Sequence, residues 1–278
     1  MAQRIVIVPD GGPLPPGMPL LRGDDRGVLH GEGVFETLHL RPDGPWLLDA
    51  HLDRLAASAR LLELPPPDRD MLRALALAGA DAWTGGPEGA LRLVGTRGPE
   101  DGTPTWYATV SAVPGSVVRE RRGGVRVVTA DLGVSARHRP PWSLAGAKSL
   151  SYATQLAARR WAVRQGADDL LWLSSDGYAL EAPTASLVWL AGNTLCTVPA
   201  ARTPILPGTT AAHLLSRAGE LGLRAEPRMI TGARLPGVDA LWLASSLRGL
   251  AEIRALDGTA RPASPWTSRL LDLLGFPA

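Results

Sequence analysis

Cysteine and long apolar runs are almost missing from this 278-residue chain. The single cysteine, Cys196, excludes an internal disulfide framework and any cysteine-rich metal site. No apolar stretch approaches the roughly 20 residues that are needed to span a bilayer. The apolar stretch near the start of the chain is too short for a signal peptide. We therefore expect a cytoplasmic protein with no membrane partner.

The chain also lacks an excess of charge of one sign. Its formal net charge is +2, and basic and acidic residues are interspersed, although the pI is 9.1. Without a basic stripe, we expect no nucleic-acid partner. Hydrophobic residues make up 45% and charged residues 20% of the chain, which is typical of a folded globular protein and not of a disordered one.

Several common catalytic motifs are absent. There is no GxxxxGK[ST] phosphate loop, and Glu36 stands where a dinucleotide-binding fingerprint requires glycine. There is no GxSxG nucleophile elbow. The five histidines never fall in HxxxH spacing, so we expect no metal site.

Lysine is the scarcest charged residue. Lys148 is the only lysine, whereas 28 arginines supply the other basic side chains. A lysine can lose its proton and act as a nucleophile or base, which an arginine in practice cannot do. Lys148 lies between a proline-rich loop and a predicted helix, where an apolar setting would favour the neutral amine that Schiff-base chemistry needs. The alternative is a surface lysine retained by chance.

The order of predicted elements favours two halves of mixed α+β structure and not a doubly wound parallel sheet. Pro114-Gly115 at one end and Gly123-Gly124 at the other predict a linker over residues 115–124. It separates a smaller N-terminal α/β domain, residues 1–114, from a larger C-terminal domain, residues 125–278. We also expect an extended segment over residues 28–40, a helix capped by Asp49, and a helix from about Ser149 to Gln165.

Further polar residues suggest a bound phosphate compound. Glu181 lies on the return strand of a predicted hairpin, where the alternative is an edge glutamate facing water. Thr209 and Thr210 open a predicted helix, and helix N-termini bind phosphate, although a simple N-cap is the alternative. Arg54 could supply a cation to the phosphate, although a charge on the helix surface is the alternative interpretation. Ser245 and Ser246 could supply hydroxyls. A lysine, an acid and this phosphate-binding set are the parts that hold pyridoxal 5′-phosphate.

In their order along the chain, these segments resemble the class IV aminotransferase family of fold-type IV pyridoxal-phosphate enzymes. The matching segments are HGEGVFETL (30–38), AHLDRL (50–55), LVGTRG (93–98), AKSLSYA (147–153), GADDLLWLSSDGYALEAPTASLVWL (166–190), LPGTT (206–210) and LWLASSLRGL (241–250). The resemblance covers most of the chain and is greatest to 4-amino-4-deoxychorismate lyases. It implies two α/β domains with the cofactor in the cleft between them, a larger C-terminal cofactor-binding domain, and a homodimer.

The resemblance also implies roles for individual residues. Lys148 corresponds to the lysine that holds the cofactor and moves the proton, and Glu181 to the acid at the pyridine nitrogen. The other positions that match or adjoin cofactor contacts are Arg54, Tyr152, Thr209, Thr210, Ser245 and Ser246. Arg97 matches an arginine that binds a substrate carboxylate. Phe35 stands at a substrate-binding position that is a tyrosine in D-amino-acid aminotransferases.

Three departures from the family pattern leave the reaction open. Ala182 and Ser186 replace a glycine and an asparagine of many members, and Pro99 replaces a histidine of D-amino-acid aminotransferases. One hypothesis is a lyase that releases pyruvate from 4-amino-4-deoxychorismate and forms 4-aminobenzoate for folate synthesis. A second is an aminotransferase acting on branched-chain or D-amino acids. A third is a binding protein with a degenerate site, which the intact Lys148 and Glu181 disfavour.

Overall fold

The computed structural model describes residues 4–9, 12–15 and 17–276, and the chain divides into two compact units. The first unit is Met1–Pro114 together with Ala147–Tyr152. The second unit is Gly115–Gly146 together with Ala153–Ala278. Each unit mixes helices with a sheet. Among the described residues, no helix is both long enough and apolar enough to cross a membrane.

The first unit is an antiparallel six-stranded sheet, in the order β2-β1-β6-β5-β3-β4, with helices packed on it. Its elements are β1 (Arg4–Val8), β2 (Gly12–Pro13), α1 (Arg26–Leu29), β3 (Gly33–Arg41), β4 (Gly44–Pro45), α2 (Leu48–Leu61), α3 (Arg69–Ala82), β5 (Gly89–Thr96) and β6 (Thr105–Ala112). Side chains alternate between the two faces of a strand. Val34, Leu38, Leu91 and Leu93 therefore enter one core with α2 and α3, and Phe35, Thr37 and Arg92 lie on the opposite face.

The second unit contains a nine-stranded mixed sheet whose main path is β12-β11-β10-β13-β14-β7-β8. Its elements are α4 (Gly115–Gly123), β7 (Val125–Asp131), α5 (Ala153–Arg164), β8 (Asp169–Leu173), β9 (Glu181–Ala182), β10 (Ala185–Ala191), β11 (Thr194–Thr197), α6 (Thr209–Arg217), β12 (Arg224–Pro227), β13 (Ala240–Ser245), β14 (Gly249–Leu256), β15 (Thr259–Ala260) and α7 (Trp266–Leu273). Leu171, Leu187 and Leu243 are fully buried in its core.

The segment predicted as a linker differs from the structure. Residues 115–123 form helix α4, which packs on β14 inside the second unit. The glycines and the proline of this segment are the boundaries of a helix. Gly124 has a φ of +76°, and its N–H donates to the carbonyl of Glu120, as a left-handed residue commonly does at a helix end.

Three predicted element boundaries also shift. Residues 26–29 form a helical turn capped by the Asp25 carboxylate, so the extended segment begins at Gly33 and not at residue 28. Asp49 lies in the first turn of α2, where it forms an ion pair with Arg69 instead of capping the helix. The helix predicted from Ser149 starts at Ala153, because the residues before it pair with β3.

Residues 147–152 belong to the first unit because the free side of β3 holds them. β3 pairs with β5 along its length, but with β4 only near Leu40 and Arg41. At its other end, the N–H of Phe35 donates to the carbonyl of Lys148 at 3.0 Å, and the N–H of Leu150 donates to the carbonyl of Gly33 at 2.8 Å. These bonds make a short antiparallel bridge.

The two glycines before β3 make this close approach possible. A Cβ at Gly31 would lie 2.5 Å from the Ser151 hydroxyl oxygen, and Gly31 has a φ of +71°. A Cβ at Gly33 would lie 2.5 Å from the Gly95 carbonyl oxygen of β5 and 2.6 Å from a methyl carbon of Leu150. A larger residue at Gly31 would crowd Ser151, and one at Gly33 would crowd the backbone of β5 as well as Leu150.

A buried ionic cluster links β3 to α2. The Glu36 carboxylate accepts from Nε and Nη2 of Arg54 at 2.6 and 2.8 Å, and it lies 2.7 Å from Nδ1 of His51. Burial alone would raise the pKa of Glu36, but the Arg54 charge and the hydrogen bonds outweigh it and lower the pKa to about 2. Burial lowers the pKa of His51 despite the neighbouring carboxylate. A neutral His51 therefore donates from Nδ1 to an ionised Glu36.

This cluster predicts an acid-sensitive component of stability. Because the pKa of Glu36 falls from 4.5 to about 2 on folding, its ionisation contributes about 3 kcal/mol above pH ~4.5, and this is lost as the pH falls toward 2. Glu36→Gln leaves Arg54 buried without its carboxylate and should lower the free energy of unfolding by ~3–5 kcal/mol at pH 7. Urea unfolding of both proteins between pH 7 and pH 3 measures the difference, which should narrow toward pH 3.

Glu100→Gln, at an exposed glutamate of the same unit, is the matched control and should change stability by less than ~0.5 kcal/mol. A difference between wild type and Glu36→Gln that stays constant down to pH 3 would contradict an ionised Glu36.

Candidate active-site residues

The first unit brings together three residues that the sequence predicts for the site. The Lys148 Nζ atom lies 4.4 Å from the centroid of the Phe35 ring and 5.9 Å from that of Tyr152. The two rings meet edge to face, with centroids 5.3 Å apart and an angle of 85° between their planes. The lysine side chain is half-buried. Its amine is therefore bordered by aromatic carbon on two sides, a setting that orients it and limits its hydration.

Helix α2 also fixes the backbone of the lysine. The hydroxyl of Ser58, which is buried, accepts from the Lys148 N–H at 3.0 Å. His51, Arg54 and Ser58 recur every three or four residues, so they lie on one face of α2. The sequence analysis identifies only Arg54 among them. The signal for the other two was a polar stripe within the apolar face of the helix.

The alternative interpretation of Arg54 as an exposed charge on the helix surface does not hold. Its side chain is 8% exposed, and it forms the two-point ion pair with Glu36. Glu36 itself enters the sequence analysis only as a residue that breaks a nucleotide-binding fingerprint. Contact between Arg54 and a cofactor phosphate stays a prediction.

Arg97 has structural partners where the sequence analysis predicts a substrate carboxylate. Its Nη2 donates to the carbonyl of Leu62 at 2.7 Å, its Nη1 to the carbonyl of Glu63 at 3.3 Å, and its guanidinium forms an ion pair with Glu32. Leu62 is the C-cap of α2, and cations stabilise the carbonyls at helix ends. These contacts direct the side chain of Arg97 to the end of α2. Binding of a substrate carboxylate by Arg97 stays a prediction.

The second unit holds Glu181 against the loop that opens α6. Glu181 lies in β9 and is half-buried, and its Oε1 accepts from the N–H of Leu206 at 3.1 Å. In the strand register, Glu181 pairs with Ser186 on β10, and Ser186 pairs with Ala244 on β13. The predicted acid, the residue at the family's asparagine position and the end of β13 therefore share one region of this sheet.

The start of α6 has the features of an anion site. Gly208 is the N-cap and offers no side-chain hydrogen bond, which leaves the first-turn N–H groups without that partner. A Cβ at Gly208 would lie 2.1 Å from the Ser186 hydroxyl oxygen, so this close approach requires glycine. The Thr210 hydroxyl is buried and has no hydrogen-bond partner among the described residues. A buried hydroxyl without a partner costs about 1–3 kcal/mol, which a bound oxyanion would offset.

Two buried arginines hold the turn that carries Ser245 and Ser246. Arg121 donates to the carbonyl of Leu247 at 2.8 Å, and Arg248 donates to the Asp169 carboxylate at 3.0 Å. Ser246 is buried at the end of β13. The sequence analysis identifies the serines but misses Arg121 and Arg248, whose partners lie more than 70 residues away in the chain.

Comparisons with known proteins extend these observations. The family model described as amino-transferase class IV matches residues 33–256. A bifunctional aminodeoxychorismate lyase / D-amino acid transaminase from Mycobacterium tuberculosis is 41% identical over 272 residues, which cover 94% of each chain.

Solved structures show the same likeness. The PLP-bound form of a hypothetical aminotransferase from Mycobacterium tuberculosis superposes with a TM-score of 0.94 and 41% identity, covering 98% of this chain and 97% of that one. The fold IV-transaminase CpuTA1 from Curtobacterium pusillum gives a TM-score of 0.91 and 38% identity, with the same coverage. These matches confirm the predicted family and fold class. The chain belongs to the class IV aminotransferase family, whose members are enzymes that use pyridoxal phosphate.

Proposed function

We propose that this protein is a pyridoxal-phosphate-dependent 4-amino-4-deoxychorismate lyase that releases pyruvate and forms 4-aminobenzoate for folate synthesis. The observation that carries the proposal is the setting of Lys148. The only lysine of the chain is fixed through its backbone to β3 and Ser58, and its amine is bordered by Phe35 and Tyr152. A homodimer, which the family resemblance suggests, and a cytoplasmic location, which the composition suggests, are part of the same proposal.

The residues present fit the cofactor. The partnerless Thr210 hydroxyl and the start of α6 suit its phosphate, with Thr209, Ser245, Ser246 and Arg54 as further contacts. Glu181 is a carboxylate that can hold a proton on the pyridine nitrogen, and Tyr152 can contact the phenolic oxygen. Pyridoxal phosphate, when bound, supplies an electron sink for the carbon that loses a proton.

In the proposed reaction, each of the chain's own residues has a different role. Lys148 Nζ would hold the cofactor covalently until the substrate amine displaces it, and the freed Lys148 amine would then take the proton from the substrate carbon that bears the amino nitrogen. Glu181 stabilises the positive charge of the protonated ring nitrogen. Phe35 and Tyr152 limit the access of water to the amine. In the lyase reaction, loss of the enolpyruvyl group makes the ring aromatic, which drives the reaction forward.

D-amino-acid transamination is the second candidate function. A relative that is 41% identical over 94% of the chain is named for both activities. The two reactions share the same removal of a proton, and they differ in whether the proton returns and a keto acid leaves. The Phe35 and Pro99 departures from D-amino-acid aminotransferases favour the lyase.

The test is to incubate the cofactor-loaded protein with 4-amino-4-deoxychorismate and to measure 4-aminobenzoate by its fluorescence. We expect product from the wild type. Glu181→Gln should keep the bound cofactor but lose turnover by about a hundredfold, because the ring nitrogen loses its stabilising charge. Glu220→Gln, at an exposed glutamate of the second unit, is the matched control and should keep wild-type turnover.

A second arm separates the two reactions. D-alanine alone should remove the visible absorbance of the cofactor in a transaminase and leave it largely unchanged in a dedicated lyase. Full bleaching without any 4-aminobenzoate would reject the lyase in favour of the transaminase. No cofactor absorbance and no turnover would favour the degenerate binding protein.

Removal of the Thr210 hydroxyl should stabilise the cofactor-free protein but weaken the binding of the cofactor. Thr210→Val removes a buried polar group that has no partner, so the cofactor-free protein should be more stable by ~1 kcal/mol. The same change should weaken cofactor affinity about tenfold, since one hydrogen bond to a charged group is lost. Thermal unfolding and cofactor titration measure the two effects. A Thr210→Val protein that binds the cofactor with unchanged affinity would exclude Thr210 from the phosphate site.

A further inference from the structure

The loop between β13 and β14 is held by side chains from outside its own hairpin. Ser245 pairs with Gly249 at the end of the strand pair, so residues 246–248 form a three-residue loop, the β13–β14 loop. Gly249 has a φ of +63°, as is common after such loops. A Cβ at Gly249 would lie 2.8 Å from a ring carbon of Phe276, so this end of the hairpin is closely packed.

Arg121, in helix α4, is the first of these side chains. It is 3% exposed, and its Nη2 donates to the carbonyl of Leu247 at 2.8 Å. Its Nε donates to the carbonyl of Arg248 at 3.3 Å, and its guanidinium carbon lies 4.6 Å from the centroid of the Phe276 ring. Because one rigid, planar group binds two consecutive carbonyls, the loop is fixed relative to α4.

Arg248 fixes the same loop through its own side chain, which is also buried. Its Nη2 lies 3.0 Å from Oδ2 of Asp169 and 2.8 Å from Oε2 of Glu120. Asp169 begins β8, and Glu120 precedes Arg121 in α4. Two arginines and two carboxylates therefore share one cluster in which opposite charges are paired, as buried ionic groups require. The cluster ties the loop to two elements that carry none of the residues predicted to bind the cofactor.

The β13–β14 loop carries Ser246, one of the predicted phosphate contacts. Ala244, near the end of β13, pairs with Ser186, and a Cβ at Gly208 would lie 2.1 Å from the Ser186 hydroxyl oxygen. Gly208 is the N-cap of α6, whose first turn carries the partnerless hydroxyl of Thr210. The loop therefore follows a strand end that lies close to the start of α6. Hydrogen bonds weaken steeply as their geometry degrades, so a displaced loop would weaken binding to an anion held at that helix start.

We propose that Arg121 and Arg248 are positioning residues for the cofactor phosphate, because they hold the β13–β14 loop so that Ser246 stays beside the start of α6. The inference rests on the phosphate site of the proposed function and deepens it. It adds two arginines, neither of which has to touch the phosphate, to the groups by which the protein prefers a phosphorylated cofactor to the same aldehyde without its phosphate.

The test compares the affinity for pyridoxal 5′-phosphate with the affinity for pyridoxal, which lacks the phosphate but can react with the same lysine. Absorbance titration of the cofactor-free protein measures both dissociation constants. Arg121→Met keeps an apolar side chain beside Phe276 but removes the donors to the loop. It should raise the Kd of pyridoxal 5′-phosphate about tenfold and leave the Kd of pyridoxal unchanged.

Arg248→Lys is the second variant. It keeps a positive charge beside both carboxylates but loses the planar fork, so it should raise the Kd of pyridoxal 5′-phosphate by a few fold, again without an effect on pyridoxal. Because no buried carboxylate is left without a cation, this variant tests the proposal even if Arg121→Met does not fold.

Arg261→Met is the matched control. Arg261 is also an arginine of the second unit that holds a loop by its carbonyls, those of Pro236 at 3.1 Å and Val238 at 2.6 Å. That loop precedes Ala240, at the opposite end of β13 from Ser246. Arg261→Met should therefore lower the melting temperature, as Arg121→Met does, without changing the ratio of the two dissociation constants.

Equal weakening of both ligands in Arg121→Met and Arg248→Lys, or unchanged binding of both ligands, would overturn the proposal. A wild type that binds pyridoxal as tightly as pyridoxal 5′-phosphate would reject the phosphate site itself, and this inference with it. The titrations need no turnover. A protein that shows the expected shifts but forms no 4-aminobenzoate therefore supports the positioning role while the proposed lyase function fails.

Discussion

The backbone bridge between β3 and residues 148–150 is the constraint on which the first half of the candidate site depends. It brings a segment that follows the predicted linker back to the first unit, and it fixes the lysine beside Phe35. Gly31 and Gly33, which have no side chains, leave room for this bridge. Ser58 of α2 adds one more bond to the same backbone. The backbone position of the lysine is therefore fixed by the first unit itself.

Some charged side chains neutralise each other within the fold, and others are left to interact with a ligand. The buried Glu36 neutralises Arg54, and His51 beside them is uncharged, so this cluster supports the fold without adding net charge. Lys148 and Arg92 instead share the Phe35 ring on the face opposite the core. The second unit offers an acid on β9 and a helix start with a partnerless buried hydroxyl. In the second unit, the acid on β9 suits a basic ring nitrogen and the start of α6 suits a phosphate, whereas the two cations of the first unit suit an anion.

Much of this arrangement could be predicted from the sequence, because the segments that carry Lys148, Glu181 and Thr210 follow a family order and lie at element ends. The residues that hold these segments in place could not be predicted from the sequence. Glu36, Arg121 and Arg248 act through contacts with residues far away in the chain, which no local pattern reports. Arg97 directly follows β5, and only the structure shows that its side chain contacts the end of α2. The segment predicted as a linker is helical for a related reason, since glycine and proline occur at the ends of helices as well as in loops.

The most direct test of the account is where the cofactor is attached. Because the chain has one lysine, borohydride reduction of the cofactor-loaded protein followed by peptide mass mapping gives an unambiguous answer. The account predicts one reduced cofactor per chain, on the peptide that contains Lys148, and none in Lys148→Arg, because a guanidinium is not a nucleophile near neutral pH. A label on the N-terminal amine, or a Lys148→Arg protein that remains active, would contradict it.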